Sequence, residues 1–184
     1  KYHTLFNVFQ YITFRTIYAV VTALVLSFLI GPYIIRKFSN MQIGQVIRSD
    51  GPSNHFNKEG TPTMGGIIIL FCIIVPTLLW ANLKNPYVWL LITVTAGFGI
   101  VGFADDYKKW VQKDSRGLRP AHKFLGQCII ALGVALFLYF TGFNTSITVP
   151  FFKNVVIAMG WAYIPFVILV IVGASNAVNL TDGL

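Results

Sequence analysis

Two adjacent aspartates, Asp105 and Asp106, stand where a long apolar run from Tyr87 to Phe103 ends in charge. An acidic side chain costs about 2.5 to 3.5 kcal/mol at the centre of a membrane helix and less toward its ends, so acids at this depth usually have a partner. A metal ion or a phosphate-bearing substrate is the obvious candidate. The pair therefore predicts a chemical site at the edge of a membrane.

Lys109 offers these two acids a purely structural partner instead. If the helix continues past the apolar run, Lys109 lies four residues beyond Asp105 and three beyond Asp106, the spacing at which helical side chains meet. Both acids could then pair with the lysine, and the motif would be only a clamp. Neighbouring positions point about 100° apart on a helix, so the two acids cannot do the same job on one ligand. In the catalytic interpretation, one acid orients a metal or the lysine while the other meets substrate.

Two further polar segments adjoin apolar runs. Residues 58–66 combine Thr, Pro and Gly before such a run, which suits either a simple capped helix start or, with Lys58, a phosphate cradle. Near the other end, Asn176 and Asn179 are one turn apart, and Asp182 adds a third carboxylate. Amides at the end of a membrane helix bond to neighbouring helices more often than to a ligand, and Asp182 could merely shape a turn.

The composition places these segments in a membrane protein. Of 184 residues, 55% are hydrophobic and only 11% are charged, and the mean hydropathy is +0.69. The net charge of +8 does not indicate nucleic-acid binding, because the basic residues lie in short segments between apolar runs, where they meet lipid headgroups. Cys72 and Cys128 fall inside apolar runs, and the three histidines are scattered, so no disulfide or zinc site is expected.

The apolar runs predict an all-α fold, a polytopic bundle of transmembrane helices in a single transmembrane domain covering residues 1–184. Glycines such as Gly97, Gly99 and Gly102 would let the helices pack closely. A helix needs about 20 apolar residues to cross the hydrocarbon core. Five spans are expected, at about residues 16–35, 65–81, 87–103, 125–143 and 155–172.

The charge distribution predicts how these spans are oriented. The segments 36–64 and 104–123 together contain ten of the fourteen basic residues, so both should face the cytoplasm and the N-terminus should lie outside. All six acids would then lie on the cytoplasmic side as well. Acidic residues contribute little to the positive-inside rule, so their position on one side is an independent observation. It predicts that any chemistry takes place on the cytoplasmic face.

Three strings carry a resemblance to a known family. GTPTMGG at residues 60–66, GFADDYKK at 102–109 and NAVNLTDGL at 176–184 each lie at the predicted cytoplasmic end of a span. In this order they resemble the bacterial phospho-N-acetylmuramoyl-pentapeptide transferases, the MraY family, within the superfamily of polyprenyl-phosphate sugar-1-phosphate transferases. The TPTMGG string favours the peptidoglycan branch over the N-acetylhexosamine branch.

The resemblance implies a specific reaction. Enzymes of this family transfer phospho-MurNAc-pentapeptide from UDP-MurNAc-pentapeptide to undecaprenyl phosphate with Mg²⁺, giving lipid I and UMP. They work at the cytoplasmic face of the bacterial inner membrane, with a periplasmic N-terminus. The expected partners are therefore this nucleotide sugar, undecaprenyl phosphate and membrane lipids, without nucleic acid, and a homodimer stays open.

The resemblance also implies roles for individual residues. Asp105 and Asp106 match the paired catalytic aspartates and are candidate metal ligands, and Lys109 completes the DDxxK pattern. The expected substrate-binding residues lie in or just before the first string, in the third string and in the string HKFLGQ. They are Lys58, Thr63, Lys123, Asn179, Asp182, Gly183 and Leu184.

One departure and two alternatives complete the expectations. The family has about twice this length and roughly ten spans, with a third catalytic aspartate and a His-rich loop at positions beyond Leu184, so the 184-residue piece alone is expected to be inactive. A transferase for UDP-N-acetylhexosamine would share the aspartates and the lipid acceptor, and donor choice separates the two. An ion-coupled transporter or channel subunit would also keep acids in its helices, but usually near the midplane of the bilayer.

Overall fold

The computed structural model describes residues 4–41, 64–113, 117–149, 151–152 and 155–182, with side chains described between residues 7 and 178. Most of these residues are helical, which confirms the all-α class. A 3-10 helix, Thr4–Gln10, precedes the first α-helix, and a second, Gly160–Ala162, precedes the last. The α-helices are α1 (Ile12–Asn40), α2 (Gly66–Trp80), α3 (Pro86–Gln112), α4 (Pro120–Phe140) and α5 (Tyr163–Asp182), and the strands are β1 (Ser146–Thr148) and β2 (Val156–Ala158).

Four of the described helical segments are long and apolar enough to cross a membrane: α1, α3, α4 and the segment Gly160–Val178. The remaining predicted span corresponds to α2, which is strongly apolar but has only 15 residues. At 1.5 Å per residue this helix is about 22 Å long, less than the hydrocarbon thickness of about 30 Å. The chain is that of a multi-pass membrane protein, with one helix shorter than a full span.

The chain forms two compact units, Lys1–Arg119 and Pro120–Leu184. In the first unit, α2 packs against both α1 and α3. The indole of Trp80 donates a hydrogen bond to the hydroxyl of Thr22, at 3.0 Å. Gly99 on α3 lies against the side chain of Leu70, so closely that a Cβ at this position would overlap the leucine. The predicted close packing at Gly99 is therefore confirmed, whereas a Cβ at Gly102 would meet nothing within 4 Å.

In the second unit, α4 packs against α5 around a small core that includes Ala131, Ala135, Val167 and Val172. An antiparallel hairpin of β1 and β2 lies between these helices in sequence, with Ser146 paired to Ala158. Its ladder gives backbone N–H and C=O groups partners where the helical pattern stops. The expected single transmembrane domain stays a prediction.

Two helix boundaries differ from those expected. α3 continues nine residues past Phe103 to Gln112, so the string DDYKK is helical. The helix is capped by Lys113, whose φ of 48° is left-handed. The last predicted span, 155–172, is shifted toward the C-terminus. Its first residues form β2, and α5 begins only at Tyr163. An apolar run of β-branched residues reads equally well as a strand or a helix, which explains the shift.

Candidate functional site

The paired aspartates are adjacent on a continuous helix, α3. Because α3 continues past them, Lys109 is in the position where both acids can reach it, and it does meet both. Its ammonium lies 2.7 Å from Oδ2 of Asp105 and 3.7 Å from Oδ1 of Asp106. The helix thus continues far enough for Lys109 to pair with both acids, as the clamp interpretation requires, and the shorter contact is with Asp105.

Asp105 is the buried member of the pair, with only 8% of the residue exposed. While Oδ2 pairs with Lys109, Oδ1 accepts a hydrogen bond from the backbone N–H of Leu118 at 2.8 Å. Both carboxylate oxygens thus have protein partners. We call Asp105, Lys109 and the Leu118 N–H the Asp105 clamp. It fixes the chain that follows α3 against the helix and holds the lysine in place.

Gly117 makes the Asp105 clamp sterically feasible. Its φ of 62° is in the left-handed region that favours glycine. A Cβ at this position would lie 2.5 Å from Oδ1 of Asp105 and 2.7 Å from Cε of Lys109. Sequence reasoning missed this glycine. The only sequence feature that could have identified Gly117 is its place in a short polar segment after a helix. Many turn glycines have the same context, so it does not single out this one.

Asp106 has a different environment, with 38% of its side chain exposed. It lies at the edge of a groove of about 380 Å³ between α2 and α3, lined by apolar residues that include Met64, Leu70 and Phe98. Gly99 and Gly102 line it too, and the absent side chain of Gly102 leaves space open there. This apolar groove therefore ends at a half-exposed carboxylate, that of Asp106.

Comparison with known proteins identifies the family of this chain. Residues 88–184 match the profile of Glycosyl transferase family 4, which covers more than half of the chain and includes α3, α4 and α5. The chain belongs to glycosyl transferase family 4. Residues 58–70 also match the phospho-N-acetylmuramoyl-pentapeptide-transferase signature 1.

Curated relatives with that name cover nearly the whole chain. A phospho-N-acetylmuramoyl-pentapeptide-transferase of Geobacter sp. (strain M21) is 57% identical over 183 residues, which are 99% of this chain and 51% of the relative. The protein of the same name from Syntrophus aciditrophicus (strain SB) is 55% identical over the same shares. The chain spans about half the length of the curated relatives it matches.

Several expected site residues of this family member lie outside the described residues. Lys58, Thr63, Gly183 and Leu184 are among them. Asn179 and Asp182 belong to α5, but their side chains are outside the described part. Lys123 is a partly exposed residue in the first turns of α4. For these seven positions the roles implied by the resemblance stay predictions.

A second polar cluster lies inside the unit formed by α4 and α5. The side chain of Gln127 is buried, with 3% of the residue exposed, and its Oε1 accepts a hydrogen bond from Nδ2 of Asn176 at 2.7 Å. Its Nε2 lies 3.4 Å from Oγ of Ser175, and Asn176 also donates to the carbonyl of Val172 at 2.8 Å. We call Gln127, Ser175 and Asn176 the Gln127 bridge. Asn176 therefore bonds to a neighbouring helix, as is usual for such amides.

The described residues contain no group of three or more His, Cys, Asp or Glu side chains that could hold a metal ion. The two described carboxylates, Asp105 and Asp106, are still enough for Mg²⁺, which usually takes one or two protein carboxylates and completes its shell with water and substrate phosphates. Asp106, half-exposed at the groove, is the described carboxylate best placed for such a role. Asp105 is buried and has protein partners on both oxygens.

Proposed function

We propose that the whole protein transfers phospho-MurNAc-pentapeptide from UDP-MurNAc-pentapeptide to undecaprenyl phosphate, giving lipid I and UMP. The observation that carries this proposal is the unequal pair of aspartates in a chain of glycosyl transferase family 4. One carboxylate is locked to a lysine, and the other stands half-exposed at an apolar groove. The name of the relatives supports the choice of donor.

The reaction exchanges one phosphorus–oxygen bond for another. An oxygen of the lipid phosphate forms a bond to the phosphorus attached to the sugar, and the bond from that phosphorus to the bridging oxygen breaks, so that UMP leaves. Little covalent chemistry is required of the protein, so its work is positioning and neutralising charge. Lys109 would neutralise phosphate oxygens, and Asp105 would act as a positioning residue that holds this lysine.

Asp106 would hold Mg²⁺ together with ligands from the substrate phosphates. When bound, the ion supplies charge stabilisation to the transferring phosphoryl group. The half-exposed carboxylate would also position the lipid phosphate, since both would lie at the rim of the groove. The seven predicted substrate-binding residues would complete the nucleotide-sugar pocket. On this proposal the active face is cytoplasmic, in a bacterial inner membrane, with the N-terminus on the periplasmic side.

The test uses the purified full-length protein with UDP-MurNAc-pentapeptide and undecaprenyl phosphate, with UMP release as the measurement. We expect Asp106→Asn to reduce turnover by about 100-fold or more, because the substitution removes charge that acts directly on the reacting groups. Lys108→Gln is the matched control, since it removes a neighbouring charge on α3 that is not part of the Asp105 clamp, and its turnover should stay within about twofold.

The proposal makes two further commitments. Removing divalent cations with a chelator should abolish UMP release, and added Mg²⁺ should restore it. Replacing the donor by UDP-GlcNAc should give no product. Substantial turnover by Asp106→Asn would remove the catalytic assignment, whereas use of UDP-GlcNAc with no use of UDP-MurNAc-pentapeptide would place the protein in the N-acetylhexosamine branch.

A further inference from the structure

A second pocket lies in the first unit, between the start of α1 and the end of α2. It has a volume of about 270 Å³ and is lined at one side by Ile12, Arg15, Thr16 and Ala19 of α1. The other side is formed by the end of α2 and the residues that follow, which are Pro76, Thr77, Trp80, Ala81 and Asn82. The volume is just below the range of about 300 to 1,000 Å³ that holds drug-sized ligands, so the pocket suits a headgroup rather than a whole lipid.

Arg15 is the charged residue among those that line this pocket. Its Nε is buried and has no hydrogen-bond partner. The first turn of α1 contains no acid, and the only acidic side chains in the described part of the chain, Asp105 and Asp106, pair with Lys109. A buried donor without a partner costs about 1 to 3 kcal/mol, and more when it is charged. An anion in the pocket would offset that cost.

Three other side-chain donors that line the pocket already have acceptors. The hydroxyls of Thr16 and Thr77 donate to the carbonyls of Ile12 and Ile73, and the indole of Trp80 donates to Thr22. Arg15 is therefore the group that an anionic ligand would address. A guanidinium binds phosphate oxygens through several parallel N–H donors, which makes phosphate a better match than a single-point anion.

The surroundings of the pocket indicate that this phosphate belongs to a lipid. Trp80 forms an aromatic cluster with Tyr18, at a ring distance of 5.2 Å, and with Phe9, at 6.2 Å. Clusters of Trp and Tyr at the end of membrane helices mark the depth of the lipid headgroups. Ile12, which lines the pocket, is 72% exposed, and Tyr11, the preceding residue, is 61% exposed. An acyl chain can therefore continue along the surface from a headgroup in the pocket.

We propose that the pocket between the start of α1 and the end of α2 binds the phosphate of an anionic phospholipid through Arg15. The site is separate from the Asp105 clamp and from the groove at Asp106, because none of its lining residues belongs to either. It lies at the beginning of α1 and the end of α2, whereas the groove begins at Met64, just before α2. The proposal does not depend on the transferase reaction.

The experiment is native mass spectrometry of the full-length protein in detergent, titrated with 1-palmitoyl-2-oleoyl-phosphatidylglycerol. We expect the wild type to bind one such lipid about tenfold more tightly than Arg15→Gln, a factor that corresponds to one charged hydrogen bond. Arg15→Lys keeps the charge without the planar donor set and should bind with intermediate affinity. Lys84→Gln is the matched control, because Lys84 is an exposed cation two residues beyond the pocket, and this variant should match the wild type.

A pocket-filling variant tests the geometry without removing the charge. Ala19→Leu should also weaken phosphatidylglycerol binding, because the larger side chain occupies the space beside Arg15. Millimolar inorganic phosphate should leave the lipid bound, and displacement by it would show a free-anion site and overturn the proposal. Unchanged lipid binding in Arg15→Gln would also overturn the proposal. If the melting temperature of this variant fell while lipid binding stayed the same, Arg15 would be pairing with another part of the protein and not with a lipid.

Discussion

The Asp105 clamp and the Gln127 bridge both join side chains to distant parts of the chain, but they do so with different chemistry. The clamp uses a charged pair, of which Lys109 remains 37% exposed. The bridge uses neutral amides, and Gln127 is 3% exposed. A charge loses much of its hydration when buried, whereas an amide can satisfy its donors and acceptors locally. The Asp105 clamp thus keeps its cation beside water, whereas the buried contact between α4 and α5 uses neutral amides.

Substituting Asp105→Asn should have the largest effect of those that test this contrast. The amide can still accept from the Leu118 N–H, but Lys109 loses its closest partner and is no longer held in place. We expect turnover to fall about 100-fold, since a displacement of about 1 Å at a reacting centre can have that effect. UMP release by the full-length protein measures it. Turnover within twofold of the wild type would mean that the clamp is structural only.

Gly117→Ala should act through the same clamp without removing any charge. The new Cβ would stand 2.5 Å from Oδ1 of Asp105, and an alanine at φ 62° is strained by about 1 to 3 kcal/mol. We expect turnover to fall about tenfold, because Asp105 and Lys109 must move. In the Asp105→Asn background the same change should have a smaller effect, since both substitutions disrupt one unit. Fully additive losses would contradict the proposed coupling.

Gln127→Leu should affect stability rather than turnover. The substitution removes the acceptor for Asn176 and the contact with Ser175, and hydrogen bonds between membrane helices contribute about 0.6 kcal/mol on average. We expect a fall of about 1 kcal/mol in the free energy of unfolding, measured by denaturant titration in detergent, with turnover within about twofold. Cys128→Ala, at the next position on the same helix, is a control for a general response of α4 to truncation. A turnover loss as large as that of Asp105→Asn would mean that the bridge positions catalytic groups.

Salt should produce the smallest of the four effects. Raising ionic strength from about 0.1 M to 1 M shortens the screening length from about 10 Å to 3 Å. The difference in unfolding free energy between wild type and Asp105→Asn should therefore shrink by up to about 0.5 kcal/mol, the usual contribution of an exposed helical ion pair. The corresponding difference for Gln127→Leu should not change. If salt changed the stability differences of Asp105→Asn and Gln127→Leu equally, the distinction between a charged and a neutral contact would be wrong.

The local part of this arrangement was predictable from sequence, and the non-local part was not. Asp105, Asp106 and Lys109 lie on one helix, so their meeting follows from the spacing once the helix continues. The Leu118 N–H reaches Asp105 only because of the left-handed residues Lys113 and Gly117, and single-sequence patterns do not fix such backbone conformations.

Two other features depended on long-range contacts. Gln127 and Asn176 are 49 residues apart, so nothing local to either amide identified its partner. The burial of the Arg15 Nε, in the unit where α1 packs against α2, could likewise not be read from the residues around it in sequence. Strand β2 was missed because its apolar residues resemble the start of a span, and β1 lies in the segment between two predicted spans.

The extension of α3 beyond its apolar run determines the depth at which the chemistry can occur. Asp105 and Asp106 follow Phe103 by two and three residues, so at 1.5 Å per residue they stand about 3 to 4.5 Å above the end of the hydrophobic segment along the helix. Each polar layer of a bilayer is about 5 to 7 Å thick. In a bilayer whose hydrocarbon layer ended at Phe103, both carboxylates would be level with the phosphates of the leaflet. On the proposed function, the isoprenoid acceptor would then react by lateral diffusion without being lifted from the bilayer.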